Sequence, residues 1–217
     1  AAIADGVEQT EADERVGPHF LGAIVLEAQP QRGAHVNACS VIDGQQRLTT
    51  IFLLLRGLLD LLTERELTTR AKQVRKWILI HPDEVEEPLE VYKLWPRRRD
   101  RVAWQAVMAD AVPDLEHRYV DARLYFHDRF SASVEGMSVD EADDFLVTLV
   151  DALAAKIKLV VVDLANADDA QLIFEVLNGR QTPLSAADLV KNLLFMRAGS
   201  SEKELDALYD KYWAPFD

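Results

Sequence analysis

Apolar side chains recur at helical spacing after residue 45 of the chain. The positions that follow the i, i+3, i+4, i+7 rule are Leu48, Ile51, Phe52, Leu55, Leu58, Leu59 and Leu62. This stripe predicts an amphipathic helix that begins at Gln45. Two apolar segments with β-branched residues precede it, HFLGAIVLEAQ (19–29) and NACSVID (37–43). A connection that contains proline and glycine joins them, so they predict two strands of a small sheet.

The remaining pattern predicts a mixed series of helices and strands. A helix over 68–80 should end before His81-Pro82, because the residue before a proline is biased out of the helical region. EVYKLWP (90–96) predicts a third strand, and KIKLVVVDLAN (156–166) predicts a buried central strand. Further helices are predicted at 98–111, 116–133, 139–155, 168–178, 186–198 and 201–212. The order indicates an α+β fold with a small sheet and a larger, mainly helical body.

Charge and composition narrow the class of protein. The net charge of −13 repels polyanions, so contact with nucleic acid requires a local basic patch. The single cysteine, Cys39, excludes an internal disulfide and suits the reducing cytoplasm, where we expect the protein. Residues 1–18 are acidic and predict a mobile lead-in to a domain over 19–217. The most apolar stretch, 51–62, is shorter than the roughly 20 residues that span a bilayer, so no membrane partner is expected.

A polar turn separates the second predicted strand from the leucine-rich helix, in SVIDGQQRLTT (40–50). Asp43 and Gln46 have the spacing of a capping box, in which each side chain satisfies a free backbone N–H. Such a cap leaves Gln45 and Arg47 unexplained, because the helix dipole opposes an arginine in the first turn unless an anion lies nearby. The alternative is a phosphate site at the helix N-terminus, with a divalent cation between the phosphate and Asp43.

A second segment, FEVLNGRQTPLSAADLVKNLLF (174–195), repeats the arrangement of helix end, polar loop and new helix. Gly179 is a left-handed helix stop, and Ser185 with Asp188 forms another predicted capping box. The polar side chains that these caps leave unexplained are Asn178, Arg180, Lys191 and Asn192. A solvated helix face and a ligand site are the two alternatives for Lys191 and Asn192.

Together the two polar segments resemble the N-terminal domain of GmrSD-type, modification-dependent restriction proteins, a family that includes the phosphorothioate-sensing SspE proteins. The matching motifs are VIDGQQRLTT (41–50), FEVLNGRQTPLSAADLVKNLLF and the weaker HFLGAIVL (19–26), and they cover most of the chain from about residue 19 onward. The resemblance implies a core related to the ParB and sulfiredoxin-like fold. It also implies nucleoside triphosphate hydrolysis, often of GTP, linked to recognition of modified phage DNA.

This family likeness leads us to expect a site that binds Mg²⁺ and GTP or ATP. Asp43 is expected to position the metal, Gln45 and Gln46 to orient nucleotide or water, and Arg47 to neutralise phosphate charge. The expected nucleotide-binding residues are Gly44, Gln45, Asn178, Arg180, Asp188, Lys191 and Asn192. No G-x-x-x-x-G-K-[ST] sequence occurs, so hydrolysis would be of a non-P-loop type.

Two elements common in the family are missing from this sequence. No Tyr-Gln-Arg element precedes the first strand, and the five histidines lack the paired spacing of a metal nuclease. We therefore expect this chain to be part of a longer protein, with a separate C-terminal nuclease domain that cuts DNA. Assembly into a homo-oligomer is an open alternative.

The densest basic cluster is WPRRRDR (95–101). Its arginines and neighbouring aromatic rings are typical of a phosphate-backbone contact, and the alternative is a solvated helix start. The candidate DNA-binding residues are Arg97, Arg98, Arg99 and Arg101. The rival function is a non-catalytic reader of modified DNA or of a partner protein, with nucleotide acting only as a ligand. A third interpretation is a helical scaffold in which both polar turns are only caps.

Overall fold

A computed structural model describes residues 17–30, 36–164 and Lys211. The chain divides into two compact units, 1–168 and 169–217. The described elements of the first unit are β1 (His19–Ala28), β2 (Cys39–Asp43), α1 (Gln45–Glu64), α2 (Thr68–Ile78), α3 (Arg101–Met108), α4 (Arg118–Ser133), α5 (Val139–Lys156) and β3 (Ile157–Leu164). Three short 3-10 helices cover Pro82–Glu84, Pro88–Val91 and Arg98–Asp100. The predicted α+β fold with a mainly helical body is confirmed.

Several predictions fall on other parts of the chain. The helices predicted at 168–178, 186–198 and 201–212 lie outside the described residues, apart from Lys211, which is helical. The more specific likeness to a ParB or sulfiredoxin-like sheet stays a prediction, as does a single domain over 19–217. Across the described ranges, no helix combines the length and apolar character needed to cross a membrane.

The three described strands form one mixed sheet in the order β2-β1-β3. β1 pairs with β2 antiparallel, with Val25 opposite Asp43, and with β3 in parallel, with Ile24 opposite Val161. Parallel neighbours require a long crossover, and here the five α-helices of the range 36–164 lie between β2 and β3 in the chain. The buried residues Ile24 and Val25 show that β1 is the central strand.

The prediction that the valine-rich segment forms a buried central strand is wrong. Among the described residues β3 pairs only with β1, and Val160, Val161 and Val162 are exposed. β-branched residues favour strands because they fit a pleated surface, and this preference does not itself require burial. The run therefore predicts the strand correctly but not its burial.

The prediction of a strand over 90–96 is also wrong. This segment forms a 3-10 turn over Pro88–Val91 and then a single bridge between Tyr92 and Leu79. The same bridge explains why α2 ends at Ile78, since Leu79 is already extended. The other helix predictions inside the described ranges are confirmed. The helix predicted over 98–111 begins as a 3-10 turn and ends at Met108.

The leucine stripe of α1 supplies the centre of the helical core. Leu58, Leu59 and Leu62 are fully buried. Gly57 lets the backbone of α4 approach closely, because an added Cβ would lie 2.8 Å from both the Arg123 carbonyl oxygen and the His127 amide nitrogen. Close helix contact of this kind fixes α1 against α4 over its middle turns.

A buried charge network joins α1, α4 and the end of α3. Arg123 binds both carboxylate oxygens of Asp60, at 2.6 and 2.8 Å, and Arg56 donates to the same carboxylate at 2.6 Å. Arg56 and Asp60 are the residues that interrupt the apolar stretch of α1, and the structure pairs them inside the core. Asp110 receives a hydrogen bond from Arg75, which holds the pKa of its carboxyl below the usual range.

We expect a pH-dependent contribution to stability from His127, whose ring lies 3.0 Å from Glu64 and 3.3 Å from Asp128. Burial lowers the pKa of His127, but its carboxylate partners, with nearby Asp60, raise it above the ordinary 6.5. This stabilisation is fully present below pH 6.5 and is lost as the pH rises through the pKa that His127 has in the folded protein. The urea midpoint should therefore fall over that range more in wild type than in His127→Gln. Identical pH dependence in both proteins would contradict the assignment.

Candidate functional site

The turn from β2 into α1 depends on a glycine in the left-handed region. Gly44 is the N-cap of α1 at φ +92°, and its carbonyl accepts the first helical hydrogen bond from the Leu48 amide at 2.9 Å. An added Cβ would lie 2.6 Å from the Ile24 Cγ2 atom of the central strand. Both conformation and space thus favour glycine at this position.

The predicted capping box between Asp43 and Gln46 is not formed. Because Gly44 is the N-cap, the third residue of the helix is Arg47, and the spacing that the sequence suggests is displaced by one residue. The described helix start has no side-chain cap hydrogen bond. Its first backbone N–H groups thus have no side-chain acceptor within the described part of the chain.

The two glutamines of the turn have different surroundings. Gln45 is exposed, and its Nε2 atom donates to the Val41 carbonyl at 2.9 Å, which ties the first helical residue back to β2. Gln46 is also exposed. Thr49 and Thr50 donate to the carbonyls of Gln45 and Gln46 at 2.8 and 2.9 Å, so they stabilise the first turn from within the helix.

Arg47 joins the first turn of α1 to the central strand. Its Nη1 atom donates to the Ala23 carbonyl, and its guanidinium lies against Gly22. Gly22 has φ +101°, and the pairing of β1 with β3 shifts register between Phe20 and Ala23. A Cβ on Gly22 would lie 3.2 Å from the Arg47 Cζ atom. The local irregularity of β1 therefore makes room for the arginine.

Asp43 is the candidate metal ligand at this turn. It is the last residue of β2 and is half-buried. Within the described ranges, no hydrogen bond or ion pair engages its carboxylate. The same ranges contain no group of three or more His, Cys, Asp or Glu residues that could hold a metal ion. Mg²⁺ is commonly held by one or two carboxylates together with phosphate oxygens and water, and a single carboxylate such as that of Asp43 meets this requirement.

The structure brings one of the two predicted sets of residues together. Asp43, Gly44, Gln45, Gln46 and Arg47 occupy a single strand-to-helix turn. The residues of the second set lie outside the described part of the chain: Asn178, Arg180, Asp188, Lys191 and Asn192. The meeting of the two loops around one nucleotide stays a prediction, as does the second capping box.

Sequence reasoning missed the part of β1 that holds Arg47. Gly22 and Ala23 lie in the segment HFLGAIVL, which the sequence predicts as a strand and as the weakest of the three family motifs, without a role at the site. A glycine inside a strand often marks a bulge or a close backbone approach, and this signal was available. Its arginine partner was not identifiable, because 24 positions separate Arg47 from Ala23.

The basic segment follows the bridge at Tyr92. Arg97, Arg99 and Arg101 are exposed, and the Arg101 guanidinium lies 5.6 Å from the centre of the Trp95 ring. Asp100, in contrast, is buried. These three arginines are thus exposed while the one carboxylate of the segment is buried, and the side chain of the fourth candidate, Arg98, lies outside the described part of the structure.

Comparison with known proteins supports the resemblance suggested by the motifs. The model of the GmrSD restriction endonuclease N-terminal domain matches residues 6–195. A comparison with curated proteins found no match. The matched range includes the Gly44 turn, the central strand, the helical body and the basic segment. The narrower likeness to SspE proteins stays a prediction. Since the match spans most of its 217 residues, the chain belongs to the family of GmrSD restriction endonuclease N-terminal domains.

Proposed function

We propose that this domain binds and hydrolyses a nucleoside triphosphate, with GTP favoured over ATP, in a modification-dependent anti-phage restriction protein. It would couple the sensing of modified DNA to a separate nuclease domain. The observation that carries the proposal is the turn between β2 and α1. There a carboxylate without a hydrogen-bond or ion-pair partner among the described residues, a left-handed glycine and a helix start with no side-chain cap from those residues follow one another.

Phosphate binding at this turn has a direct electrostatic basis. The free N–H groups at the start of a helix and the positive end of its dipole attract phosphate oxygens. The Asp43 carboxylate would repel the same phosphate, and a Mg²⁺ ion between them removes the repulsion. Gln46, which is exposed beside this position, would orient the attacking water.

Arg47 would act from an anchored position. Its hydrogen bond to the Ala23 carbonyl engages one of the five N–H donors of the guanidinium. Anchoring restricts the side chain before a ligand arrives, so less conformational freedom is lost on binding. The remaining donors would neutralise charge on the phosphates. Sequence alone supports the further proposed nucleotide ligands, Asn178, Arg180, Asp188, Lys191 and Asn192.

Thermal denaturation with Mg²⁺ and GTP or ATP tests nucleotide binding, and phosphate release tests hydrolysis. Nucleotide at 100 times its Kd should stabilise the wild-type chain by about 2.7 kcal/mol. Asp43→Asn should abolish Mg²⁺-dependent phosphate release, whereas Asp114→Asn, an exposed control between α3 and α4, should leave it unchanged. Wild-type protein that shows neither a thermal shift nor phosphate release would overturn the proposal.

A non-catalytic reader is the second candidate. The contact of Arg47 with Ala23 favours it, because this contact gives the arginine a structural role that needs no turnover. In that case nucleotide would shift the melting temperature without releasing phosphate. Hydrolysis that depends on Asp43 would exclude this candidate.

A further inference from the structure

Exposed cationic side chains are concentrated at the end of α2 and in the segment that follows the bridge at Tyr92. We define the basic surface as five cationic side chains: Lys76, Lys93, Arg97, Arg99 and Arg101, all exposed. Lys93 donates to the Lys76 carbonyl at the end of α2, so the segment that follows the helix folds back beside it. Local charge of this kind is what a protein with a net charge of −13 requires to contact a polyanion.

The carboxylate within this segment does not neutralise the exposed arginines. Asp100 is 9% exposed, and its Oδ2 atom accepts from Arg118 at 3.0 Å and from the Tyr119 hydroxyl at 3.3 Å. Within the described residues, neither Arg97 nor Arg99 forms an ion pair. Their charge is therefore available to an external anion.

Stacking holds one of the arginines in place. Arg101 lies over the Trp95 ring, and the same ring makes an edge contact with Tyr92, with centroids 5.0 Å apart. A guanidinium ordered in this way loses little freedom when it binds phosphate. Because Trp95 is half-buried and already covered by Arg101, its ring is a poor platform for stacking an unpaired base.

We propose that the basic surface binds the phosphate backbone of duplex DNA without reading its sequence. Covered aromatic rings disfavour single strands, and the cluster of charged, exposed side chains suits backbone contact. The inference extends the proposed function but uses none of the residues of the nucleotide site.

Fluorescence anisotropy with a short, unmodified, labelled duplex tests this inference on the 217-residue chain without nucleotide or Mg²⁺. Each neutralised phosphate contributes about −0.9 to the slope of log affinity against log salt. The double variant Arg97→Gln/Arg99→Gln should therefore flatten the slope by about 2 and weaken binding at low salt. Arg129→Gln, an exposed change on α4, should leave both unchanged.

Three results would overturn the inference. They are an unchanged salt slope in the double variant, tighter binding of single-stranded DNA than of duplex, and equal competition by poly-glutamate, which would indicate an acidic protein partner. Equal melting temperatures of wild type and variants establish that the fold is kept, as expected for exposed positions. Because the assay contains no nucleotide, a negative result would not bear on the proposed nucleotide site. Likewise, an absence of hydrolysis would not bear on the DNA-binding result.

Discussion

Replacing Arg123 with methionine should lower the free energy of unfolding by about 3–5 kcal/mol, because it removes one partner of a buried ion pair. Arg123 is 1% exposed and binds both carboxylate oxygens of Asp60. Methionine would fill much of the space, but the Asp60 carboxylate would lose one of its two cationic partners. Arg56, the other cation at Asp60, cannot replace a two-point contact from its position on α1.

The Arg123 guanidinium also caps the C-terminal end of α3. The backbone carbonyls that accept from it belong to Val107, Ala109, Asp110 and Ala111, at 2.9, 2.9, 3.1 and 3.3 Å. Carbonyls at a helix C-terminus have no partner within the helix, and positive charge there also favours the dipole. Arg123→Met would remove this donor from all four carbonyls, although that of Asp110 also accepts from Arg56 at 3.4 Å, and the lost hydrogen bonds add to the destabilisation.

Urea denaturation of wild type and variants measures this loss. Arg129→Met, an exposed change on the same helix, should stay within about 0.5 kcal/mol of wild type. Arg56→Met should cost less than Arg123→Met, because burial lowers the pKa of Arg56 and its Nε atom has no hydrogen-bond partner among the described residues. A loss below about 1 kcal/mol for Arg123→Met would show that the network contributes little to stability.

Local sequence patterns predicted the helices and strands of this protein better than they predicted which residues contact one another. The spacing of the leucines predicted α1, since the apolar period of a helix is visible within a few turns. The sequence marked Arg56 and Asp60 only as interruptions of that pattern. Their partner Arg123 lies 63 positions from Asp60, and no local period connects such residues. The burial of this charge network therefore could not be predicted.

The candidate site was predicted in part for the same reason. The segment Asp43–Arg47 was identified as one polar turn, and it is one turn. The expected capping box failed because the sequence does not state which of two adjacent residues starts the helix, and the left-handed Gly44 starts it one residue late. The contact between Arg47 and Ala23 required the three-dimensional pairing of β1 with the helix start.

Gly44→Ala should lower the free energy of unfolding by about 2–4 kcal/mol, through backbone strain and overpacking together. The alanine would have to adopt φ near +92°, and its Cβ would meet the Ile24 side chain at 2.6 Å. Ile24 is buried in the central strand and has little room to move. The strain would act directly on the turn that carries Asp43 and Arg47.

Gly136→Ala separates the two causes. Gly136 has φ +82°, but an added Cβ there would meet nothing within 4 Å, so only the backbone strain applies. This control should lose about 1–2 kcal/mol, and the additional loss in Gly44→Ala then measures the contacts with Ile24 and, at 3.3 Å, with the Arg47 Nη1 atom. Equal losses of unfolding free energy in urea denaturation would mean that β1 shifts to accommodate the added methyl group without an energetic cost. In that event the close approach of glycine and strand would not be what holds the start of α1 in position.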